Sequence, residues 1–277
     1  MARRFEGKVA IVTGSSNGIG RATALLFAEE GARVTITGRS EASLNTTLDL
    51  LVAAGLEADN VVQVRGDLTD KAVQKKVVED TVAKFGKIDI VVNNAGGTAP
   101  DMTPDQGFEL DESAFDYVVN LNVKAAMNIS RLALPYLSES KGEIVMVSSI
   151  AALPFATFNY PYYNISKAAL DQAMRSMACQ FIQKGVRVNS VNPGAIATAI
   201  GEKQGATEEI TKQFASMWED PKMIPLARIG RPREVAELIA FLADRSKSEF
   251  IVGQCMVIDG GSSLLNPIFQ NWTDKMR

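Results

Sequence analysis

Val9-Ala10-Ile11-Val12-Thr13-Gly14-Ser15-Ser16-Asn17-Gly18-Ile19-Gly20 decides the fold. Its first four residues are apolar without polar alternation, the pattern of a strand buried on both faces. The glycine-rich turn after it opens a helix from Arg21 to Glu30, with Ala24, Leu25, Phe27 and Ala28 apolar and Gly31 closing it. Strand, tight turn and helix in this order are the first half of a βαβ unit. The turn also suits a ligand. Gly14 and Gly18 let the backbone approach a pyrophosphate, and Ser16, Asn17 and Ile19 sit at a helix N-terminus, where free amides and the helix dipole favour an anion. The spacing departs from G-x-G-x-x-G, so the turn alone also fits a ligand-free connection.

The pattern repeats outward. Arg33–Thr37 reads as a second strand, and Ser40 as the cap of a helix with Glu41 in its first turn. Val61–Val64 is a third strand and Asp70–Phe85 a helix stopped by Gly86. Ile88–Val92 is a fourth strand, followed by a polar loop from Gly96 to Glu109 and a long helix from about Glu112 to Leu137. Glu143–Val147 is a fifth strand, and a helix spans roughly Tyr162 to Lys184. Val186–Val191 is a sixth strand, Pro232–Ala243 a helix with proline in its first turn, and Cys255–Ile258 a last strand. Seven strands alternating with helices imply right-handed crossovers and a parallel sheet covered on both faces. The reading is α/β: one doubly wound domain over residues 1–277, with a flap at about 195–225 and a C-terminal tail at about 263–277.

Composition narrows the function. The 277 residues are 46% apolar and 22% charged, with net charge −3, so no basic excess exists to neutralise nucleic-acid phosphates. Cys179 and Cys255 lie far apart, which reads as buried thiols in a reducing compartment. The N-terminus has charge but no apolar core, so no secretory signal is expected, and no run is long enough to span a membrane. A cytoplasmic location follows as the expectation. There is no histidine, so proton transfer near neutrality falls to a tuned Tyr, Lys, Cys, Asp or Glu.

Such a group stands at Tyr163-Asn164-Ile165-Ser166-Lys167. Tyrosine and lysine four apart share a helix face. A nearby ammonium favours phenolate and lowers the tyrosine pKa. By itself the spacing also describes an ordinary surface pair. Ligands bind a doubly wound sheet at the carboxyl ends of its strands, and the other candidates fall there. Strand two ends at Thr37-Gly38-Arg39 without an acid to take a ribose 2′-hydroxyl, whereas Arg39 can pair with a 2′-phosphate; NADP is therefore favoured over NAD. Asp67 and Leu68 follow strand three, where Asp67 can accept from an adenine amine or simply form a turn. Asn93, Asn94, Ala95 and Gly96 follow strand four, the asparagines suited to tying strands together. Ser149 ends strand five. Pro193, Gly194, Ile196 and Thr198 follow strand six, beside the expected nicotinamide.

These motifs, in this order, resemble the short-chain dehydrogenase/reductase family of Rossmann-like proteins: T-G-x-x-x-G-I-G at Thr13–Gly20, N-N-A-G at Asn93–Gly96, Ser149, Tyr163-x-x-x-Lys167 and P-G-x-x-x-T at Pro193–Thr198. The likeness spans nearly the whole chain. It implies that Tyr163 is the general acid in ketone reduction and the base in alcohol oxidation. Lys167 would lower the Tyr163 pKa and hold the nicotinamide ribose, and Ser149 would hydrogen-bond the reacting carbonyl. Asn122, with Asn120 nearby, would support a water relay. Ser149 precedes Tyr163 by one residue more than the family's usual spacing, which implies a one-residue loop insertion. Tyr160 and Tyr162 lack a lysine at i+4 and are expected to line the pocket or pack. The resulting reading is an oxidoreductase moving hydride between NADP(H) and a small carbonyl or secondary alcohol, without metal, as a homotetramer or dimer. The alternative is a non-catalytic dinucleotide-binding sensor or scaffold. Leu153, Phe155, Phe158, Tyr160, Phe214, Met217 and Trp218 suggest a lipophilic substrate, with a sugar also open; Pro267, Phe269 and Trp272 in the tail are expected to pack on a neighbouring subunit or the pocket mouth.

Overall fold

The apolar runs of the sequence assemble into one seven-stranded sheet, all parallel, in the order β3-β2-β1-β4-β5-β6-β7. The strands are β1 (Val9–Val12), β2 (Arg33–Gly38), β3 (Val61–Arg65), β4 (Ile90–Asn93), β5 (Glu143–Val147), β6 (Arg187–Pro193) and β7 (Cys255–Ile258). The computed structural model describes residues 3–100, 107–154, 160–198 and 218–265. Of the expected flap, residues 199–217, including Phe214 and Met217, lie outside them; so do Phe155, Phe158 and the tail beyond residue 265.

Strand alternation divides the core. Ala10, Val12, Val34, Ile36, Val92, Val145 and Val191 face α1 (Gly18–Glu29), α2 (Glu41–Ala53) and, once the chain has returned, α7 (Pro232–Ala243). Ile11, Val91, Ile144, Met146 and Val188 face α3 (Lys71–Phe85), α5 (Ala126–Ser140) and α6 (Pro161–Phe181). Every residue of β1, β4, β5 and β6 is buried. Each large aliphatic side chain so placed contributes about 1.5–3 kcal/mol by leaving water. Short α8 (Arg245–Ser248) leads towards β7.

Local chemistry sets the ends. The Ser40 hydroxyl accepts from the Ser43 amide at the start of α2, and the Asp70 carboxylate caps α3 through the Ala72 amide. Gly86 closes α3 in the left-handed region at φ 75°. β4 begins at Ile90 rather than Ile88; just before it the Asp89 carboxylate accepts from the Val9 amide at 2.9 Å and pairs with Lys8 and Lys87. The long helix after β4 is not uniform: α4 (Glu112–Val119) passes through a π-helical turn, Asn120–Ala125, into α5.

The thiols depart from expectation. Cys179 is exposed and Cys255 half-buried. Around Cys179 the buried positions of α6 are Met174, Met177, Ala178 and Phe181, which turns Cys179 outward. No described helix is long and apolar enough to cross a membrane.

The topology fixes where a ligand fits. From β1 the chain winds out through β2 to β3, then returns to place β4 on the other side of β1. The resulting crevice opens at the carboxyl ends of β1 and β4.

Candidate active site

At that crevice the turns after β1 and β4 are laced together. The Thr13 hydroxyl accepts from the amides of Asn94 and Ala95, both at 3.0 Å. The Asn94 amide group donates to the carbonyls of Thr13 and Gly14 at 2.9 and 3.0 Å. The Gly14 amide donates to the Thr37 hydroxyl at 3.0 Å. Gly14 has φ 64°, and a Cβ there would lie 2.8 Å from the Ala95 Cα, so a side chain would push the two turns apart. Asn93 points the other way, donating to the Ser130 hydroxyl at 2.9 Å. Both asparagines thus tie the structure together.

Asn17 is the N-cap of α1 but makes no side-chain capping bond, so the first-turn amides are not closed off by it. Ser16 is buried against Gly38, and Ile19 packs on the core. The Thr198 methyl lies over Gly18. The segment after β6 therefore reaches the glycine turn. Pro193 ends β6, Gly194 packs on Asp259, and Ile196 pairs with Gly230. The amide-lined turn, the small residues after β4 and the Pro193–Thr198 arm form a cradle consistent with a bound dinucleotide.

Arg39 is exposed at the end of β2. One guanidinium nitrogen donates to the Tyr117 hydroxyl at 3.0 Å and lies 3.8 Å from the Asp67 carboxylate. The other Asp67 oxygen accepts from the Thr69 amide and hydroxyl at 2.8 and 2.9 Å, a turn-forming use. Leu68 is turned into the core and its carbonyl accepts from Gln74.

The residues expected to react come together from three elements. The Ser149 hydroxyl is close enough to the Tyr163 phenol to draw its pKa down, despite the longer spacing between them. Residues 155–159, within the intervening loop, lie outside the described chain. Lys167 is buried; its Nζ donates to the Val147 carbonyl at 2.9 Å and sits 5.6 Å from the centroid of the Tyr163 ring. The Asn122 side-chain amide pairs both ways with Gly97, accepting at 2.9 Å and donating at 3.0 Å, and also donates to the Ser166 hydroxyl at 2.9 Å. A Cβ on Gly96 would lie 2.9 Å from the Asn122 Oδ1 and 3.2 Å from the Lys167 Nζ. Asn122 therefore stands beside Lys167. It sits in the π-helical turn, which offsets its side chain from regular helical register.

The electrostatics differ from the sequence expectation. Burial pushes the Tyr163 phenol up, and the Ser149 hydrogen bond offsets this only in part. Burial pushes Lys167 down to about 8, with Asp171 pulling it back up. Desolvation therefore sets the direction for both groups.

A family model described as Enoyl-(Acyl carrier protein) reductase matches residues 14–263. The chain belongs to the short-chain dehydrogenase/reductase family. Among its relatives is the 3-oxoacyl-[acyl-carrier-protein] reductase FabG of Thermotoga maritima, 36% identical over 93% of this chain and 98% of that protein. A short-chain dehydrogenase/reductase of unknown function from Caenorhabditis elegans, solved with cofactor, superposes with TM-score 0.93 at 42% identity, covering 96% of this chain and 98% of that one. The L-sorbose reductase of Gluconobacter frateurii, solved with NADPH and L-sorbose, superposes with TM-score 0.84 at 30% identity, over 95% and 99% of the two chains. As a short-chain dehydrogenase/reductase, the chain is an oxidoreductase of a family that binds a nicotinamide dinucleotide.

Some residues of this short-chain dehydrogenase/reductase site carry no motif in the sequence. Thr13 reads in sequence only as part of a turn, yet its hydroxyl serves two amides. Tyr117, the partner of Arg39, had no local signal. Asp171 had one, its place four residues after Lys167. Tyr162 packs as expected: its hydroxyl donates to the Leu110 carbonyl at 2.9 Å, and its ring meets Phe108 and Phe115 edge-on.

Proposed function

We propose that the chain, acting as one catalytic domain, interconverts a carbonyl compound and its secondary alcohol with NADP(H), using Tyr163 as general acid and base. The observation that carries this is the meeting of three side chains: Ser149 acts on the Tyr163 phenol, and Lys167 is buried over the same ring. When bound, the nicotinamide supplies or accepts the hydride.

A phenol held above its usual range is protonated at neutrality and suits the acid role in reduction. Ser149 orients it and donates towards oxygen as negative charge develops there. Lys167, lowered to about 8, keeps a proton in reserve behind the tyrosine. Asn122 joins that store to the loop after β4. The amide-lined turn at Gly14–Ile19 takes the pyrophosphate. Arg39 takes a 2′-phosphate by exchanging its contact with Tyr117 for a charge-assisted one, which favours NADP over NAD.

The substrate is a small carbonyl or alcohol. An aromatic wall of Phe108, Phe115 and Tyr162 near the start of α6 supports an apolar part to it, while L-sorbose in a relative's structure makes sugars and polyols the other class to assay. Fully exposed Phe250 and half-exposed Val257 on the edge strand support assembly into a dimer or tetramer. The test is a panel of lipophilic ketones, ketoses and secondary alcohols with NADPH and NADH, followed by absorbance of the reduced cofactor. Turnover favouring NADPH supports the proposal. Dinucleotide binding without turnover of any compound favours a sensor or scaffold.

A further inference from the structure

The layer between α6 and the sheet is apolar, built from Leu170, Met174, Met177 and Phe181 over Met146 and Val188. At the end nearest Tyr163 it is interrupted by three polar side chains: Asp171 on α6, and Ser190 and Asn192 on β6. All are buried, Asp171 with 4% of its surface exposed and Asn192 with none. An apolar set would fill this space without desolvating a carboxylate, so the polar trio needs another reason to be there.

Its hydrogen bonds supply one. The Asn192 Nδ2 donates to the Asp171 carboxylate at 2.7 Å and to the Ser149 carbonyl at 3.0 Å. The Ser190 hydroxyl donates to the Asn192 Oδ1 at 2.8 Å, and Asp171 lies 3.4 Å from that hydroxyl. Asn192 is thereby fixed in one amide orientation. Its remaining donor clamps the backbone of Ser149, the residue whose hydroxyl meets Tyr163. Asp171 also lies one helical turn beyond Lys167 on the same face. One carboxylate thus reaches both halves of the site, Ser149 through Asn192 and Lys167 through space.

We propose that Asp171 and Asn192 form a positioning pair that holds Ser149 against Tyr163 and supplies the counter-charge to buried Lys167. This rests on the catalytic reading of Ser149, Tyr163 and Lys167. The carboxylate opposes the downward pull of burial on Lys167. The charged and titratable groups near Asp171 are Lys167 and Arg175 on its own helix and Cys255 on β7; facing Lys167 from the other elements are the neutral Asn122, Gly96 and the Val147 carbonyl.

The experiment compares wild type with Asp171→Asn, which keeps shape and removes charge, and Asn192→Ser, which keeps a smaller polar group. Lysines labelled with 13C at Cε are titrated by NMR in each, with the Lys167 resonance assigned from its absence in Lys167→Arg. NADPH binding, followed by fluorescence, checks that each variant is folded. The Lys167 titration falls below its wild-type position in Asp171→Asn and stays unchanged in Asn192→Ser. With the best carbonyl of the substrate panel, kcat falls roughly tenfold or more in both variants while the NADPH KM holds, as for outer supporting residues. In Asp171→Asn the pH profile of kcat shifts in the direction of the Lys167 titration. An unmoved Lys167 titration in folded Asp171→Asn, or an unchanged kcat in both variants, overturns the pairing. If wild type turns over no carbonyl and the Lys167 titration still moves, the oxidoreductase reading fails while the link from Asp171 to Lys167 stands.

Discussion

The Lys167 ammonium lies over the ring of Tyr163, 5.6 Å from its centroid, and gives a hydrogen bond to the Val147 carbonyl at the end of β5 rather than to the phenol oxygen. The lysine therefore meets the tyrosine at the face of its ring and not as a hydrogen-bond partner of its hydroxyl. Replacing it with methionine, of similar length and without charge, is expected to lower kcat by about 10²–10⁴, the range for losing an acid–base component. Steady-state assays beside circular dichroism separate this from unfolding.

In the proposed function, Arg39 carries the choice of cofactor. Its present partners are the Tyr117 hydroxyl and, more distantly, Asp67. Loss of a charged hydrogen bond costs about 1.5–3 kcal/mol, so Arg39→Ser is expected to weaken NADPH binding by about ten- to a hundredfold. NADH binding should change little. Calorimetric titration with both nucleotides checks it, and an equal loss for both would remove Arg39 from 2′-phosphate recognition.

Asn122 is as much a lock as a site residue. It pairs both ways with Gly97 and donates to Ser166. Asn122→Ala leaves buried polar groups unpaired and is expected to cost about 1–3 kcal/mol of stability, read from urea unfolding, together with a loss of kcat.

At the far end of the sheet, buried Glu143 pairs with Arg187 and Arg245 at 2.9 and 2.8 Å. Burial pushes its carboxyl up to about 7 from 4.5, with both arginines pulling it down. Between those two values the folded chain holds a proton that the unfolded chain has lost. Raising the pH through that window therefore lowers the stability this group contributes. Glu143→Gln, which does not titrate, should remove that part of the decline when unfolding midpoints are compared at pH 5 and 7.5.

Much of the fold was legible because it depends on local patterns. β5, β7 and α7 fall on the boundaries that apolar runs and a first-turn proline predict, and Ser40 caps α2 as its type and position suggest. The site was legible where it sits at strand ends in a fixed topology: Ser149, Tyr163 and Lys167 meet. The rest depends on what only packing decides. No local pattern marks the π-helical turn that sets the position of Asn122. The lysine, visible in sequence, predicts a lowered Tyr163 pKa; the pKa rises because burial is not visible there. Exposure of Cys179 and the contact from Arg39 to Tyr117 likewise depend on which faces pack together.

The most direct test of the central claim is Tyr163→Phe, assayed for NADPH-dependent carbonyl reduction alongside NADPH binding. The change removes one hydroxyl from a ring that stays packed. The account predicts a loss of kcat of about 10²–10⁴ with NADPH affinity retained. Turnover at the wild-type rate by a folded, cofactor-binding Tyr163→Phe would contradict it.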